Sequence, residues 1–230
     1  MPDALEPFSP ATQQWFRNAF GTPTAAQEGA WESISKGENA LIIAPTGSGK
    51  TLAAFLWALD ALYRDKSTEP DQRELTTSTQ ARKNGDARET QKTKKQRAGG
   101  TRILYVSPLK ALGADVERNL RAPLAGIAHT AKESGRTPPD ITVGIRSGDT
   151  PARERRQLIS NPPDILLTTP ESLYLMLTSA ARSTLTGVTT VIVDEVHALA
   201  GTKRGAHLAV SLERLDQLVE QPVQRIGLSA

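Results

Sequence analysis

The sequence Ala44-Pro45-Thr46-Gly47-Ser48-Gly49-Lys50-Thr51 (APTGSGKT) joins an apolar run, residues 39–44, to a segment with helical apolar spacing, residues 50–63. A glycine-rich turn between a strand and a helix is the context of a phosphate-binding loop. Its glycines let backbone N–H groups approach phosphate oxygens closely, and the positive end of the following helix favours an anion. The stretch therefore predicts a nucleotide site.

The polar positions of this loop have separate predicted roles. Lys50 would reach the β- and γ-phosphates of the nucleotide, and the Thr51 hydroxyl would ligate Mg²⁺. The phosphate-loop motif has glycine at its first position. This chain has Ala44 there, and the loop can accommodate the single methyl group of alanine. The predicted nucleotide contacts from this loop are Thr46, Gly47, Ser48, Gly49, Lys50 and Thr51.

Short apolar runs alternate with helical segments along the chain. The runs are residues 39–44, 102–107, 141–146, 164–169, 188–194 and 224–229. Nearly continuous apolar strands that alternate with helices indicate an α/β fold, with a central parallel sheet covered by helices on both faces. Ligands of such sheets bind at the carboxyl ends of the strands, where the motifs of this chain fall.

Two helices are predicted before the first strand, so we divide the chain into residues 1–38 and a lobe of residues 39–230. Ser9-Pro10 has the pattern of a helix start, and residues 22–24 open a second helix that ends near Gly37. The aromatic side chains of this part are expected to pack in the core; they are Trp15, Phe16, Phe20 and Trp31.

The composition excludes several classes of site. The chain has no cysteine, which rules out a disulfide scaffold, a thiolate zinc site and a cysteine nucleophile. Its three histidines have no metal-ligand spacing, and no apolar run approaches the ~18 residues of a membrane span. The first ten residues lack the pattern of a signal peptide. We therefore expect a soluble, cytoplasmic protein with no membrane partner.

The basic character of the chain comes from residues 65–100. This segment has nine basic and six acidic residues, a net +3 that equals the net charge of the whole chain. It has one large apolar residue, Leu75, and so predicts a flexible insertion without a fixed role. The alternative is contact with a phosphate backbone through Lys92, Lys94, Lys95 and Arg97.

The second motif is Asp194-Glu195-Val196-His197, at the end of an apolar run. Asp194 at a strand end would supply a second Mg²⁺ anchor, and Glu195 would orient or deprotonate the attacking water. His197 alone is more typical of a structural histidine, but within this motif we count it among the catalytic candidates. Together with the phosphate loop, the motif predicts ATP hydrolysis by electrostatic positioning of the γ-phosphate.

The two motifs together resemble the first RecA-like lobe of superfamily 2 DExH-box helicases. Residues 23–27 are similar to the Q-motif of that family, which implies that Gln27 binds the adenine edge. Residues 107–112 resemble motif Ia, residues 168–173 resemble motif Ib, and residues 228–230 resemble the start of motif III. The resemblance implies a P-loop NTPase fold, ATP and Mg²⁺ as cofactors, and a single-stranded nucleic acid as partner.

The predicted nucleic-acid contacts would grip the phosphate backbone without reading its sequence. Taken singly, each of these residues is also compatible with an ordinary helix cap, a turn or a solvated helix face. The candidates are Ser107, Pro108, Lys110, Arg146, Thr168, Thr169, Pro170 and Arg204.

Finer features resemble the large helicase-related (Lhr) family of DNA helicases. They are Trp31 after Gln27, residues 147–156 and residues 203–208. This resemblance implies DNA rather than RNA as the preferred strand, and a role in DNA repair. The alternatives are an RNA helicase or remodeller of the DEAD/DEAH type, and a non-catalytic nucleotide sensor. Against the sensor, Lys50 and Glu195 are both present.

Enzymes of the resembled class hydrolyse ATP between two RecA-like lobes, and the second lobe supplies arginines that stabilise the transition state. Nothing in this sequence resembles that second lobe. We therefore expect the chain to be the first lobe of a longer helicase, with weak nucleotide binding and negligible turnover by itself.

Overall fold

Strands and helices alternate through the chain, as the sequence predicts. The computed structural model describes residues 3–68, 100–108 and 112–230. The strands are β1 (Ala40–Ile43), β2 (Ile103–Val106), β3 (Val143–Arg146), β4 (Ile165–Thr168), β5 (Thr190–Val193) and β6 (Gln224–Ser229). The helices are α1 (Pro10–Phe20), α2 (Ala25–Ile34), α3 (Lys50–Thr68), α4 (Leu112–Glu133), α5 (Ala152–Ser160), α6 (Pro170–Leu177), α7 (Val196–Leu199) and α8 (Lys203–Asp216), with a 3-10 helix at Ala180–Leu185.

The six strands form one sheet in the order β1-β6-β5-β2-β4-β3, and all five neighbouring pairs are parallel. In this register Val106 lies opposite both Thr168 and Val193. Because the strands share one direction, the residues that follow them all lie at one edge, which we call the C-terminal edge. The predicted parallel sheet is confirmed, and both the phosphate loop and the acidic motif lie at this edge.

Apolar side chains cover both faces of the sheet. Along β2, Ile103 and Tyr105 enter one core cluster while Leu104 and Val106 enter the other, because successive side chains of a strand point to opposite faces. The first cluster includes buried residues of α1 to α4, and the second includes residues of α6 and α8. The predicted covering of both faces by helices is therefore confirmed.

The two N-terminal helices begin where the sequence predicts. The Ser9 side chain caps α1, and Thr24 caps α2. Phe16 and Trp31 are fully buried in the same cluster as α3, so residues 3–38 share the core of the sheet. In the described part of the chain, no helix is both long and apolar enough to cross a membrane.

The expected burial of Phe20 is wrong, because its side chain is 53% exposed. Phe20 is the last residue of α1 and precedes Gly21, so it lies at the rim of the aromatic cluster. Its ring still contacts those of Trp15 and Phe16, with centroid separations of 5.7 and 5.1 Å. Trp15 is partly buried against the core.

The predicted insertion begins too early at residue 65, because α3 continues to Thr68. Asp65 forms an ion pair with Arg102 at 2.6 Å, and Lys66 forms one with Asp164 at 2.7 Å. These pairs fasten the last turn of α3 to the segments that precede β2 and β4. Residues 69–99, including Lys92, Lys94, Lys95 and Arg97, lie outside the described residues.

Candidate functional site

The phosphate loop between β1 and α3 has the backbone shape that its glycines predict. Gly47 and Gly49 have φ angles of 86° and 83°, which side-chain-bearing residues rarely adopt. The Ser48 N–H donates to the Pro45 carbonyl at 3.2 Å, and the buried Lys50 amine donates to the same carbonyl at 3.4 Å. The loop is therefore a tight turn with the Lys50 amine buried inside it, whereas Thr46 is exposed.

Gln27 lies against this loop and is almost fully buried. Its Oε1 accepts from the Thr24 N–H at 2.9 Å, and its Nε2 donates to the Gly49 carbonyl at 3.4 Å. The Thr24 hydroxyl donates to the Ser48 carbonyl at 2.9 Å. One proton of the amide nitrogen and one lone pair of the amide oxygen remain, which is what pairing with an adenine edge requires. The adenine contact stays a prediction.

The acidic motif follows β5, two strands away from β1 along the C-terminal edge. Asp194 is buried, and its Oδ1 accepts from the Glu195 N–H at 2.9 Å. Its Oδ2 accepts from the Tyr105 hydroxyl. Both carboxylate oxygens are thus held, and the orientation of the side chain is fixed on the sheet.

Glu195 has a left-handed backbone, with φ 49° and ψ 46°. Within the described residues it is the one non-glycine residue with positive φ. Such a conformation costs about 1–3 kcal/mol and is typical of functional positions. This left-handed residue lies between the end of β5 and Val196, the first residue of α7.

His197 joins the acidic motif to the end of β6. Its Nε2 lies 3.2 Å from Glu195 Oε2, and its Nδ1 lies 3.2 Å from the Ser229 hydroxyl. The Ser229 carbonyl in turn accepts from the Ala44 N–H at 3.2 Å. The three segments that follow β1, β6 and β5 are therefore connected by hydrogen bonds at one end of the edge.

The residues at this end fit Mg·ATP. The Ser48 hydroxyl is buried and has no hydrogen-bond partner among the described residues. The loop backbone and Lys50 would hold the phosphates. Thr51, in the first turn of α3, and Asp194 would hold the magnesium ion.

Arg146 ends β3 at the opposite end of the edge. Its side chain is 8% exposed, and its Nη1 is buried without a hydrogen-bond partner in the described part of the chain. Burial lowers the pKa of the Arg146 guanidinium, and repulsion by the Arg155 guanidinium lowers it further. An incompletely paired buried cation beside a second cation is a candidate anion site.

Thr168 and Thr169, which are predicted to contact a nucleic-acid strand, both form hydrogen bonds within the protein. The Thr168 hydroxyl donates to the Arg146 carbonyl at 2.8 Å. The Thr169 hydroxyl caps α6, in which Pro170 is the first residue. Both threonines are buried, so contact with a ligand would use backbone groups at the start of α6 rather than these hydroxyls.

Arg204 joins the segments that follow β2 and β4. Its guanidinium forms an ion pair with Glu171 and donates to the Pro108 carbonyl at 2.7 Å. The hydrogen bond from Arg204 lowers the pKa of the Glu171 carboxyl to about 2. Ser107 is buried beside Pro108, and its N–H donates to the Thr168 carbonyl at 3.0 Å, whereas the predicted Lys110 lies outside the described residues.

Two residues with clear roles in this geometry were not singled out from the sequence. Tyr105 lies inside an apolar strand, where it has the pattern of a core residue, and Glu171 has the pattern of an acidic residue in the first turn of a helix. No local feature of the sequence connects either of them to its partner.

Comparison with known proteins agrees with the family resemblance of the sequence. The family model described as DEAD/DEAH box helicase matches residues 24–230. An Lhr helicase/probable uracil glycosylase of Mycolicibacterium smegmatis is 60% identical over 99% of this chain and 13% of its own length. An Lhr helicase/uracil glycosylase of Escherichia coli is 58% identical over 100% of this chain and 14% of its own length.

Solved structures give the same result. The structure of Mycobacterium smegmatis helicase Lhr bound to ssDNA and AMP-PNP matches with a TM-score of 0.83 and 58% identity, over 99% of this chain and 25% of that chain. The yeast DEAD-box splicing factor Prp28 matches with a TM-score of 0.70 and 20% identity, over 98% of this chain and 45% of its own, and shows the fold alone. The expected RecA-like fold and the expected resemblance to Lhr are confirmed.

Proposed function

The chain belongs to the DEAD/DEAH box helicase family, and on that premise we propose that it is the ATP-binding lobe of an ATP-dependent DNA helicase. The observation that carries the proposal is the pairing of two motifs on one sheet edge. The phosphate loop follows β1, and the strained Glu195 follows β5, with β6 between them. We also propose the division into residues 1–38 and 39–230, with the insertion beginning after Thr68 rather than at residue 65.

The chemistry assigned to each residue follows from its position. Lys50 neutralises the charge that develops on the γ-phosphate, and the loop N–H groups hold its oxygens. Glu195 orients the attacking water and accepts its proton. His197, 3.2 Å from Glu195 Oε2 and 3.2 Å from Ser229, orients that carboxylate. Thr51 and Asp194 would hold Mg²⁺, which would neutralise charge on the phosphates.

Single-stranded nucleic acid is proposed to lie over the C-terminal ends of β2, β4 and β3. Support comes from Arg146 and from the linked segments that contain Pro108 and Glu171. The similar Lhr structure is described as bound to ssDNA, which favours DNA for this chain. The alternative is an RNA helicase or remodeller of the DEAD/DEAH type, because backbone contacts do not distinguish the two strands without contacts to the 2′-hydroxyl.

A second RecA-like lobe is proposed as the partner of this one in hydrolysis. The chain spans only 13–14% of the curated Lhr relatives, so those proteins contain much more than this lobe. Arginines from a second lobe that stabilise the transition state raise the rate of hydrolysis by ~10³–10⁵-fold. We therefore expect negligible turnover by this first lobe alone. A cytoplasmic location and a role in DNA repair stay predictions.

The strand preference is tested by ATPase rates of the two-lobed protein with single-stranded DNA and RNA of equal length. We expect DNA to stimulate hydrolysis strongly and RNA to stimulate it much less. Equal stimulation by both strands, or stimulation by RNA alone, would contradict the DNA assignment and favour the RNA helicase. Either result would leave the proposed ATP site in place.

Replacing Arg146 by methionine is expected to weaken single-stranded DNA binding uniformly across sequences. Loss of one phosphate contact lowers the slope of log affinity against log salt by about 0.7. Fluorescence anisotropy of labelled single-stranded DNA, over a range of salt concentrations, measures both the affinity and its salt dependence. The matched control is Arg182→Met, because Arg182 is exposed in the 3-10 helix Ala180–Leu185, far from the C-terminal edge. If the salt dependence of DNA affinity were the same for Arg146→Met as for the parent chain, Arg146 would not contact the DNA.

A further inference from the structure

Tyr105 lies between the two halves of the nucleotide site. It is 1% exposed in β2, which pairs with β5, and it lies opposite Ile192, two residues before Asp194. Its hydroxyl donates to Asp194 Oδ2. Its ring stacks on that of Phe55 in α3, with a centroid separation of 5.1 Å and an interplanar angle of 24°. One side chain therefore connects the phosphate-loop helix to the acidic motif.

This contact restricts the Asp194 carboxylate. Oδ1 is held by the Glu195 N–H and Oδ2 by the Tyr105 hydroxyl, so rotation of the carboxylate would break at least one hydrogen bond. Each oxygen keeps a further lone pair for a cation or its water ligands.

We propose that Tyr105 is a positioning residue that orients the Asp194 carboxylate toward magnesium and links that orientation to α3. The inference rests on the proposed function, because it assumes that Asp194 anchors Mg²⁺ when nucleotide is bound. Phe55 is five residues after Lys50, so a shift of the phosphate-loop helix is transmitted through the stacked rings to the carboxylate. Partners that orient a metal ligand typically contribute ten- to a hundredfold in metal affinity.

The test is the Mg²⁺ dependence of nucleotide binding by the Tyr105→Phe variant. This change removes the hydroxyl and keeps the ring that stacks on Phe55. Binding of a fluorescent ATP analogue is titrated at a series of Mg²⁺ concentrations and, separately, in EDTA. We expect the Mg²⁺ concentration for half-maximal enhancement to rise about tenfold. Affinity for the metal-free nucleotide is expected to stay close to that of the parent chain, since the hydroxyl that is removed donates to Asp194.

Tyr63→Phe is the matched control. Tyr63 is also a buried tyrosine, but its hydroxyl has no hydrogen-bond partner among the described residues. It lines a cavity of about 540 Å³ between α3 and α4, away from the C-terminal edge. This variant should retain the Mg²⁺ dependence of the parent chain. In an Asp194→Ala background, Tyr105→Phe should have no further effect, because the group through which it acts is gone.

Three results would overturn the inference. Tyr105→Phe could behave as Tyr63→Phe does, or it could lose metal-free binding by the same factor as Mg²⁺-dependent binding, which would indicate general damage. An undiminished effect in the Asp194→Ala background would show that the hydroxyl acts elsewhere. In all three cases the parent chain still binds nucleotide, whereas a parent chain that binds none would instead refute the proposed function.

Discussion

The Lys50→Ala variant is expected to lose at least a hundredfold in affinity for Mg·ATP. The Lys50 amine is buried inside the phosphate loop, where it would form charge-assisted hydrogen bonds with two phosphates. Each such bond is worth about 1.5–3 kcal/mol, and a loss of about 3 kcal/mol corresponds to a hundredfold or more in dissociation constant. Fluorescent-nucleotide titration of the 230-residue chain measures this loss directly.

The control for this variant is Lys36→Ala. Lys36 is exposed just after α2 and pairs with Glu32 at 3.7 Å, so its removal should leave nucleotide affinity unchanged. Equal affinities for Lys50→Ala and the parent chain would contradict the assignment of the loop. A thermal unfolding curve that matches the parent would show that the loss of binding does not arise from unfolding.

The Glu195→Gln variant is expected to bind Mg·ATP normally and to hydrolyse it 10²–10⁴-fold more slowly, the range of a general base. The amide has nearly the same shape as the carboxylate but cannot accept the proton of the attacking water. The separation of binding from turnover is the diagnostic result. It is measured in the two-lobed protein, by nucleotide titration and by single-turnover hydrolysis with single-stranded DNA present.

Glu213→Gln controls for the loss of one acidic charge. Glu213 is exposed in α8 and pairs with Arg225 at 3.0 Å, so its substitution should leave both binding and turnover unchanged. A Glu195→Gln enzyme with parental turnover would exclude Glu195 as the base. A variant that loses nucleotide binding as well would indicate that Glu195 has a binding role instead.

The sheet could be predicted from the sequence because its strands are buried on both faces. Within the runs 102–107 and 164–169, the central residues 103–106 and 165–167 are all apolar, a pattern that depends only on local composition. The observed strands are mostly shorter, and β2, for example, is Ile103–Val106. The polar residues that flank a strand still bond to its neighbours, as the Ser107 N–H does to the Thr168 carbonyl.

The motifs of the site were also recognisable, because their residues are consecutive along the chain. Contacts between motifs were not, since they depend on the order of strands in the sheet. Tyr105 and Asp194 are 89 residues apart, and they meet because β2 and β5 are neighbours. Arg204 and Glu171 are 33 residues apart, and their pairing depends on how α8 packs on α6. Arg204, which the sequence predicts to contact a nucleic-acid strand, therefore also forms an ion pair within the lobe.

The length of α3 was underestimated for a similar reason. The polar residues after Tyr63 resemble the start of a solvated loop when only composition is considered. In the structure Asp65 and Lys66 instead form ion pairs with Arg102 and Asp164, which immediately precede β2 and β4. Long-range pairing of charged side chains has no signature in the local sequence.

One edge of the sheet is expected to bind nucleotide over β1, β6 and β5 and a single strand of nucleic acid over β2, β4 and β3. Backbone amide chemical shifts of the 230-residue chain test it most directly, with Mg·AMP-PNP added first and single-stranded DNA second. We predict that AMP-PNP shifts the amide signals of residues 46–51, Asp194 and Glu195, and that DNA then shifts those of Ser107, Arg146, Thr168 and Thr169. Nucleotide-induced shifts that leave residues 46–51 unmoved, or DNA-induced shifts confined to the opposite edge of the sheet, would contradict the account.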